Sequence, residues 1–447
     1  MNQKVSKFLN NLKEMQVDDL ATFIKMPSIA SQNRGVDECA NWLIDFIKNM
    51  GLEPIVDDSG NYPVIMGEVE GKSDKSLLLY GHYDVQPVEE ELWEFKPFGA
   101  EIKDEKMYGR GTVDDKGPVM AELQAIRAFL ETGEKPPITV RFLIEGEEEN
   151  GSPSLTPILK SHQNFLNSDA MVSFDDSVWP DGRPRVVCGI KGIAMIALTA
   201  ETKREFHAMM SPLIKNPVLQ LAKALDSMLD TDGRVNIDGF YDNIVPPTEI
   251  ELEALRDLNW TGKDLLEESG QESFIGNREG FEALKFWIME PTCNLQGIKG
   301  GHVRPNGKGV VPSSATAELR FGTVPDQKTE EIVNLVKKHL NENGFEDIQV
   351  ELIGENPWSR TSLESDISKS LGESLDKAFG RGVAYQPTFP GSGPEGVFQN
   401  LFPNMSQAHS GFGPPEDVIH APDEYIFVDD YLKGIESIVR LFENLSE

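Results

Sequence analysis

The stretch "LLLYGHYDVQPV", Leu77 to Val88, joins an apolar strand directly to a histidine and, two residues later, to an aspartate. In open α/β sheets, chemistry gathers beyond the carboxyl ends of the strands. His82 and Asp84 stand at such an end, and in a straight strand their side chains would share one face. The stretch therefore predicts a buried strand of an α/β sheet that carries functional residues where it ends.

The segments around this stretch alternate between helix and strand. "GPVMAELQAIRAFLETG" has helical apolar spacing, and "ITVRFLIEGEEE" is a strand that runs into acidic residues, so we expect an α/β layer over a largely buried sheet. From about Gly189 two strand-then-helix units follow, the first beginning "GIAMIALTAET" and the second "ATAELRFGTVP". They predict a smaller α+β domain inserted at 190–357, between the first-domain segments 1–189 and 358–447.

The chain is strongly acidic. Asp and Glu number 74 against 42 Lys and Arg in 447 residues, which gives a net charge of −32. Such a surface repels phosphate backbones and anionic lipid heads, so we expect neither nucleic acid nor membrane as a partner. At this length two domains are the default expectation.

The cysteines and the N-terminus predict a cytoplasmic protein. Cys39, Cys188 and Cys293 are odd in number and without paired spacing, which indicates neither a disulfide framework nor a thiolate zinc site. The segment "MNQKVSKFLNNLKEM" lacks the unbroken apolar core of a signal peptide, and no apolar run reaches membrane-spanning length.

Four further acidic stretches follow or end strand-like runs: "GRGTVDDKGP", "IEGEEENGSP", "DAMVSFDDSVWPDGRP" and "EDVIHAPDEYI". With His82 they supply imidazole and carboxylate groups, which a dication such as Zn²⁺ accepts. Each piece alone is ordinary, because a histidine on an apolar strand is more often structural and "EGEEEN" is more often a solvated loop. Their combination indicates a metal centre.

In this order the motifs resemble the two-zinc metallopeptidase family of carnosinases, other dipeptidases, bacterial glutamate carboxypeptidase, aminoacylase, acetylornithine deacetylase and succinyl-diaminopimelate desuccinylase. The resemblance covers nearly the whole chain, through "GHYDVQP", "YGRGTVDDKGP", "EGEEENGS", "GRVNIDGFYD", "PTCNLQGIKGG", "VVPSSATAELRF" and "IHAPDEYI". "GRVNIDGFYD" is typical of the dipeptidase and carnosinase-like branch. The resemblance implies a catalytic α/β domain with a mixed central sheet and an inserted ferredoxin-like domain that serves as lid and dimerisation domain.

The resemblance also implies a centre of two divalent metal ions, with zinc expected first and manganese or cobalt as alternatives. Asp114 would bridge the two ions, and Asp115 beside it would be an outer partner or a helix cap. Asp84 would orient His82. The implied metal ligands are His82, Asp114, Glu149, Asp175 and His420.

The position of the remaining aspartate ligand is ambiguous between two neighbours. Counting from Asp169 favours Asp175, whereas the distance to Trp179 favours Asp176. We expect Asp175.

In the family resemblance, the frame set by "NGS" assigns the three acids of "EGEEENGS". It makes Glu148 the general base and Glu149 a ligand of the second metal, and it leaves Glu147 as a surface residue. Asn-Gly after them is compatible with the sharp turn that adjacent functional side chains require.

Further roles follow from the resemblance in the inserted domain and the late glycine-rich loop. His207 would reach across a dimer interface and stabilise the oxyanion in the partner's site, although Ala208-Met209 replace the family's usual Ser-Gly. Gly391, Ser392 and Gly393 could offer N–H groups to an anion or carbonyl of the substrate.

Substrate recognition departs from the family pattern. Many peptidase members have an arginine where this chain has Gly322 and another where it has Phe389 and Pro390. Arg320, two residues before Gly322, and Arg304 are candidate replacements. Since an arginine recognises a carboxylate through paired hydrogen bonds, its loss favours an apolar or blocked substrate end.

Three hypotheses result. The first is a dipeptidase or similar exopeptidase that acts on small peptides. The second is an N-acyl amino acid deacylase with the same metal chemistry, and the third is a catalytically silent member that uses the inserted domain for binding or dimerisation. Because every proposed ligand and the base are present, the first two are favoured, and we expect a homodimer through the inserted domain.

Overall fold

The structure, a computed structural model, describes residues 2–303, 305–416 and 418–446. It divides into two compact units: unit 1 comprises Met1–Gly189, Thr361–Pro387 and Val397–Glu447, and unit 2 comprises Ile190–Arg360 and Thr388–Gly396. The sequence placed residues 388–396 in the first domain, whereas they pack with unit 2.

Helices and strands alternate along most of the chain. The N-terminal part of unit 1 forms α1 (Gln3–Asn11), α2 (Lys13–Ile24), α3 (Val36–Asn49), β1 (Ile55–Asp57), β2 (Val64–Val69), β3 (Ser76–His82), β4 (Glu101–Lys103), β5 (Lys106–Tyr108), α4 (Lys116–Thr132), β6 (Thr139–Glu145), α5 (Leu155–Ser161), α6 (Gln163–Leu166), β7 (Ala170–Ser173) and β8 (Arg185–Val187). The middle of the chain forms β9 (Gly189–Ile190), β10 (Gly192–Glu201), β11 (Phe206–His207), α7 (Pro217–Met228), α8 (Glu249–Asp257), α9 (Lys263–Ser269), α10 (Gly280–Met289), β12 (Thr292–Gly300), β13 (Val310–Val311), β14 (Ser314–Thr323), α11 (Thr329–Glu342), β15 (Gln349–Asn356) and β16 (Ser359–Arg360). The remainder forms α12 (Asp366–Phe379), β17 (Ala384–Gln386), α13 (Glu395–Leu401), β18 (Ser406–His409), β19 (Tyr425–Phe427) and α14 (Val428–Asn444).

Unit 1 contains an eight-stranded sheet in the order β1-β2-β6-β3-β7-β18-β8-β17. β3 is parallel to β6 and to β7, and β7 is parallel to β18. β2 is antiparallel to β1 and to β6. The sheet is therefore mixed, as predicted.

β3 is buried on both faces, which explains its unbroken apolar run. Leu77 and Leu79 belong to the core cluster that contains Val119 of α4. Leu78 and Tyr80 belong to a second cluster, and the Tyr80 ring lies 5.1 Å from that of Phe398. Burying each leucine contributes roughly 1.5–3 kcal/mol, so this central strand is held from both sides and its end is fixed in place.

Unit 2 contains a four-stranded antiparallel sheet in the order β12-β14-β10-β15. Taken with the two helices that pack on it, the chain order is β10-α7-β12-β14-α11-β15, which is the ferredoxin-like arrangement, with α8 to α10 inserted after α7. Side chains of β14 alternate, with Leu319 and Phe321 buried among the helices and Arg320 and Gly322 on the other face.

No helix within the described ranges is long and apolar enough to cross a membrane.

Candidate metal centre

Three parallel strands of unit 1 end side by side and carry the candidate residues. His82 is the last residue of β3 and pairs with Glu145, the last residue of β6. Tyr80 pairs with Ser173, the last residue of β7. Because the ends of neighbouring parallel strands meet at one edge of the sheet, the residues that follow them come together there.

The first group of candidate ligands consists of His82, Asp114 and Asp175, whose potential ligand atoms all lie within 4.8 Å of one another. Nε2 of His82 is 3.1 Å from Oδ1 of Asp114 and 3.4 Å from Oδ2 of Asp175. His82 and Asp114 are buried, and Asp175 is half-buried.

The second group consists of Asp114, Glu149 and His420. Nε2 of His420 is 2.8 Å from Oδ2 of Asp114 and 3.3 Å from Oε2 of Glu149. Asp114 belongs to both groups and turns one oxygen towards the histidine of each. Residues distant in the sequence therefore form two candidate cation sites that share one carboxylate.

The pKa shifts in the two ligand groups show a concentration of negative charge that favours the binding of cations. The side chains of Asp114 and Glu149 raise the pKa of His420 to about 10. Burial, followed by the charge of Asp114, raises the pKa of Asp175 to about 7. Burial opposes ionisation of Asp114, but hydrogen bonds from His420 and His82 hold its pKa well below the usual range. The carboxylates are thus crowded, and the histidines of both groups compensate part of their negative charge.

Two buried oxygens lack partners, which tests whether metal ions fit. Oε1 of Glu149 and Oδ1 of Asp175 have no hydrogen-bond partner among the described residues. Burying such oxygens unpaired costs free energy, and a cation would compensate for it. Carboxylate and imidazole donors in two groups of three fit two divalent ions of the zinc type.

Asp84 contacts both His82 of the first ligand group and the main chain of Glu149 in the second. Nδ1 of His82 lies 3.1 Å from the main-chain oxygen of Asp84 and 3.4 Å from its Oδ1. The Asp84 carboxylate accepts hydrogen bonds from the main-chain N–H groups of Glu148 and Glu149, each at 3.1 Å. The carboxylate expected to orient His82 is fully buried, and in addition to its contact with the His82 ring it fixes the turn after β6.

Glu148 begins a 3-10 helix over Glu148–Asn150 and belongs to neither ligand group. Burial raises its pKa well above the ordinary value, opposed by the charge of His82 and supported by those of Asp175 and Asp114. Glu148 thus lies close enough to both groups to be affected by their charges, and its carboxyl is available for proton transfer.

The structure separates the two neighbouring aspartates. Asp175 belongs to the first group, whereas Asp176 is buried in an ion pair with Arg185 and accepts the main-chain N–H of Ser177 at 2.8 Å. Oδ2 of Asp176 is 3.5 Å from Nε2 of His409.

Two other acids were left open or misplaced by the sequence. Of the two roles open for Asp115, the structure shows no side-chain cap on α4, and its Oδ2 accepts the main-chain N–H of His82 at 2.9 Å, as an outer partner would. Glu147, expected at the surface, is buried and accepts hydrogen bonds from Asn61 Nδ2 at 2.8 Å and from the main-chain N–H of Ser154 at 2.9 Å. A run of acids in the sequence does not reveal which members turn inward.

One contributor was missed in the sequence. Nε2 of Gln86 donates to Oε2 of Glu149 at 2.7 Å, so it shares that oxygen with His420. Gln86 lies in the quoted stretch, four residues after His82. This closeness to His82 in the sequence is the signal that could have identified it as part of the site.

The remaining predicted residues belong to unit 2. His207 is exposed, in the short strand β11, and its Nδ1 accepts the main-chain N–H of Met209 at 3.2 Å. Gly391, Ser392 and Gly393 form a loop whose main-chain N–H groups have no hydrogen-bond partner among the described residues. Arg304 lies outside the described residues.

The fold and the two ligand groups define a metal-dependent hydrolase of the peptidase class. Residues 78–444 match the model of peptidase family M20/M25/M40. The structure of an M20 family metallo-carboxypeptidase, Sso-CP2 from Sulfolobus solfataricus, is 32% identical with a TM-score of 0.87, over 96% of this chain and 99% of that chain. The chain therefore belongs to peptidase family M20/M25/M40, which confirms the resemblance found in its motifs.

Two curated relatives are named as dipeptidases. The Cys-Gly metallodipeptidase DUG1 of Candida albicans is 28% identical over 380 residues, which is 78% of this chain and 78% of that protein. The Beta-Ala-His dipeptidase of Rattus norvegicus is 26% identical over 400 residues, 86% of this chain and 80% of that protein.

Proposed function

We propose that this protein is an exopeptidase that hydrolyses dipeptides and other small peptides with two divalent metal ions. The observation that carries the proposal is the pair of ligand groups joined by Asp114, with half-buried Glu148 close enough to be affected by their charges. The names of the relatives, Cys-Gly and beta-Ala-His dipeptidases, support a dipeptide substrate.

His82, Asp114 and Asp175 would hold one ion, and Asp114, Glu149 and His420 the other. Zinc is the proposed metal, with manganese or cobalt as alternatives, since the donors are imidazole nitrogens and carboxylate oxygens. When bound, two such ions polarise the scissile carbonyl and lower the pKa of the attacking water.

Glu148 is the proposed general base. It takes the proton from the attacking water and delivers it to the leaving amine. The raised direction of its pKa suits this role, because a carboxyl with a higher proton affinity accepts a proton from water more readily than an ordinary carboxyl does. Asp84 supports the role by fixing the main chain at Glu148 and at the neighbouring ligand Glu149.

Gly391, Ser392 and Gly393 are the proposed substrate-binding loop. Three main-chain N–H groups without partners among the described residues are suitable donors for a carboxylate or carbonyl oxygen. Main-chain donors recognise shape and charge without a particular side chain, so this loop is compatible with several small substrates.

The alternative function is N-acyl amino acid deacylation, and one observation at Gly322 favours it. A Cβ atom at Gly322 would lie 2.6 Å from Oγ1 of Thr292, so a longer side chain cannot be accommodated there without displacing Thr292. Without a guanidinium at this position to pair with a substrate carboxylate, a substrate with a blocked or apolar end is favoured. A catalytically silent binding protein is the third possibility, and it is disfavoured because all five ligands and the base have been retained.

We also propose that the protein forms a homodimer through unit 2 and that His207 contributes to the partner's site. Several large apolar side chains of unit 2 are exposed: Met209 at 72%, Leu213 at 81% and Val303 at 83%. Edge strand β12 adds Leu295 and Ile298, which are also exposed. An apolar surface around an unpaired strand edge is suited to a second copy of the chain.

A cytoplasmic location is part of the proposal. None of Cys39, Cys188 and Cys293 forms a disulfide within the described residues; the first two are buried and the third is half-buried. A reducing compartment preserves such thiols.

The test is hydrolysis by the purified protein after chelation and then after addition of zinc, manganese or cobalt. Parallel panels of dipeptides and N-acyl amino acids serve as substrates. We expect activity on the dipeptide panel only when metal is restored. Restoration on the N-acyl panel alone would establish the deacylase, and silence on both panels at two metal ions per chain would establish a binding protein.

A further inference from the structure

Arg110 and Glu424 form a buried ion pair in unit 1 that the proposed chemistry does not use. Nη1 of Arg110 donates to Oε2 of Glu424 at 2.6 Å, and the side chains are 3% and 0% exposed. Removing two charges from water is costly, so such a pair is retained where its geometry serves a purpose.

Glu424 holds the loop that leads to Asp114. Its Oε1 accepts the main-chain N–H of Val113 at 2.8 Å and of Gly111 at 3.1 Å, with a longer contact of 3.3 Å to the N–H of Asp114 itself. A single carboxylate therefore determines the path of the main chain into the residue shared by both ligand groups.

Arg110 holds the other end of the second group. Its Nη2 donates to the main-chain oxygen of His420 at 2.8 Å. His420 has a backbone φ of 61°, a left-handed conformation that is uncommon for residues other than glycine. One nitrogen of the guanidinium thus donates to Glu424 and another to the main chain of His420. Arg110 therefore connects the two loops that supply Asp114 and His420.

The first group is supported by different contacts. The main-chain N–H of His82 donates to Asp115, and Nδ1 of His82 lies against the main-chain oxygen of Asp84. Neither contact involves Arg110. The two candidate metal sites share Asp114 and the support of Asp84, but the contact between Arg110 and the loop of His420 serves the second group.

We infer that Arg110, held in place by Glu424, is a positioning residue that sets the metal affinity of the group Asp114, Glu149 and His420 selectively over that of the group His82, Asp114 and Asp175. The inference rests on the proposed two-metal centre. Loss of outer partners of metal ligands typically costs 10–100-fold in metal affinity.

The test is isothermal titration of metal-free protein with Zn²⁺, comparing the wild type with Arg110→Lys. Lysine keeps the charge beside Glu424 but has no planar fork, so it cannot hold Glu424 and His420 together. We expect two binding events in both proteins, with the affinity of the second group reduced about 10–100-fold in the variant and that of the first group unchanged.

Arg381→Lys is the matched control, because Arg381 pairs with Asp430 at 2.8 Å in the same unit and away from the ligands. It should leave both affinities unchanged. Equal weakening of both sites, or no change, by Arg110→Lys in a protein with wild-type circular dichroism would overturn the inference. If that variant does not fold, Arg110→Gln is titrated in the same way, with the same selective loss expected and the same contrary results.

The outcome for the wild type separates this inference from the proposed function. Fewer than two Zn²⁺ per wild-type chain contradicts the two-metal centre itself. Two ions in the wild type without selectivity in the variant contradicts only the role of Arg110 and Glu424.

Discussion

The main-chain N–H of Glu148 donates to Oδ1 of Asp84 at 3.1 Å, and this bond joins the ends of two parallel strands. Asp84 follows β3, which ends at His82, and Glu148 follows β6. The other oxygen of Asp84 accepts the N–H of Glu149. The proposed base is therefore held by the same carboxylate that contacts the His82 ring, and base and metal ligands share one rigid support.

Glu148→Gln should abolish turnover and retain the metal. Glutamine is nearly isosteric and keeps the main-chain bond to Asp84, but it cannot accept a proton, so we expect kcat to fall by about 10²–10⁴. Metal content measured by mass spectrometry should stay at two ions per chain. Glu149→Gln is the comparison, since it should lower the metal content instead; the reverse pattern would exchange the roles of the two residues.

Asp175→Asn should reduce the metal content, whereas Asp176→Asn should reduce the stability of the fold. Asp175 belongs to the first ligand group, so its amide variant should lose one of two metal ions with little loss of stability. Asp176→Asn breaks the buried pair with Arg185, which should lower the free energy of unfolding by about 3–5 kcal/mol without loss of metal. Metal analysis and denaturant unfolding measure the two effects. A variant of Asp176 that loses metal would assign the ligand to that residue.

Glu122→Met should stabilise the protein at neutral pH. Glu122 lies in α4, fully buried, and neither carboxyl oxygen has a partner among the described residues; burial raises its pKa well above the ordinary value. The folded protein therefore binds a proton that the unfolded chain releases above the ordinary carboxyl pKa. This group's contribution to stability is full below that ordinary pKa and is lost as pH rises towards the folded value, by about 1.4 kcal/mol per pH unit.

Urea unfolding at pH 5 and pH 7.5 measures this effect. The gain from Glu122→Met should be larger at pH 7.5 than at pH 5. Glu131→Met is the control, because Glu131 is 45% exposed on the same helix and should change the free energy of unfolding by less than about 0.5 kcal/mol at either pH. An equal gain at both pH values would mean that Glu122 is not protonated in the folded protein.

Mixing two inactive variants tests the proposed role of His207. His207→Ala should lower kcat by about 10²–10³, because an oxyanion donor is lost. When this variant is refolded together with Glu148→Gln, half of the dimers are mixed and each has one site with both groups, so about a quarter of wild-type activity should return. If His207 acts within its own chain, mixing restores nothing.

The sequence was sufficient to predict the candidate residues that lie at the ends of strands. An apolar run that stops at His82, followed by acidic motifs in a characteristic order, predicts both the mixed sheet and the membership of the family. Glu147 was misread as a surface residue, and the two roles open for Asp115 were not separated, because neighbouring acids differ only in the direction of their side chains, which packing decides. Glu424 gave no signal, since its partners lie about three hundred residues earlier in the chain.

The order of the ligands along the chain has a consequence for biosynthesis. His82, Asp114, Glu149 and Asp175 leave the ribosome before any of unit 2, and His420 follows only after all of it. Domains fold as they are made, N-terminal segments first, so a half-translated polypeptide carries every candidate ligand of the first group but lacks His420 of the second. The complete pair of cation sites, and with it the proposed hydrolysis, becomes possible only after translation has passed His420.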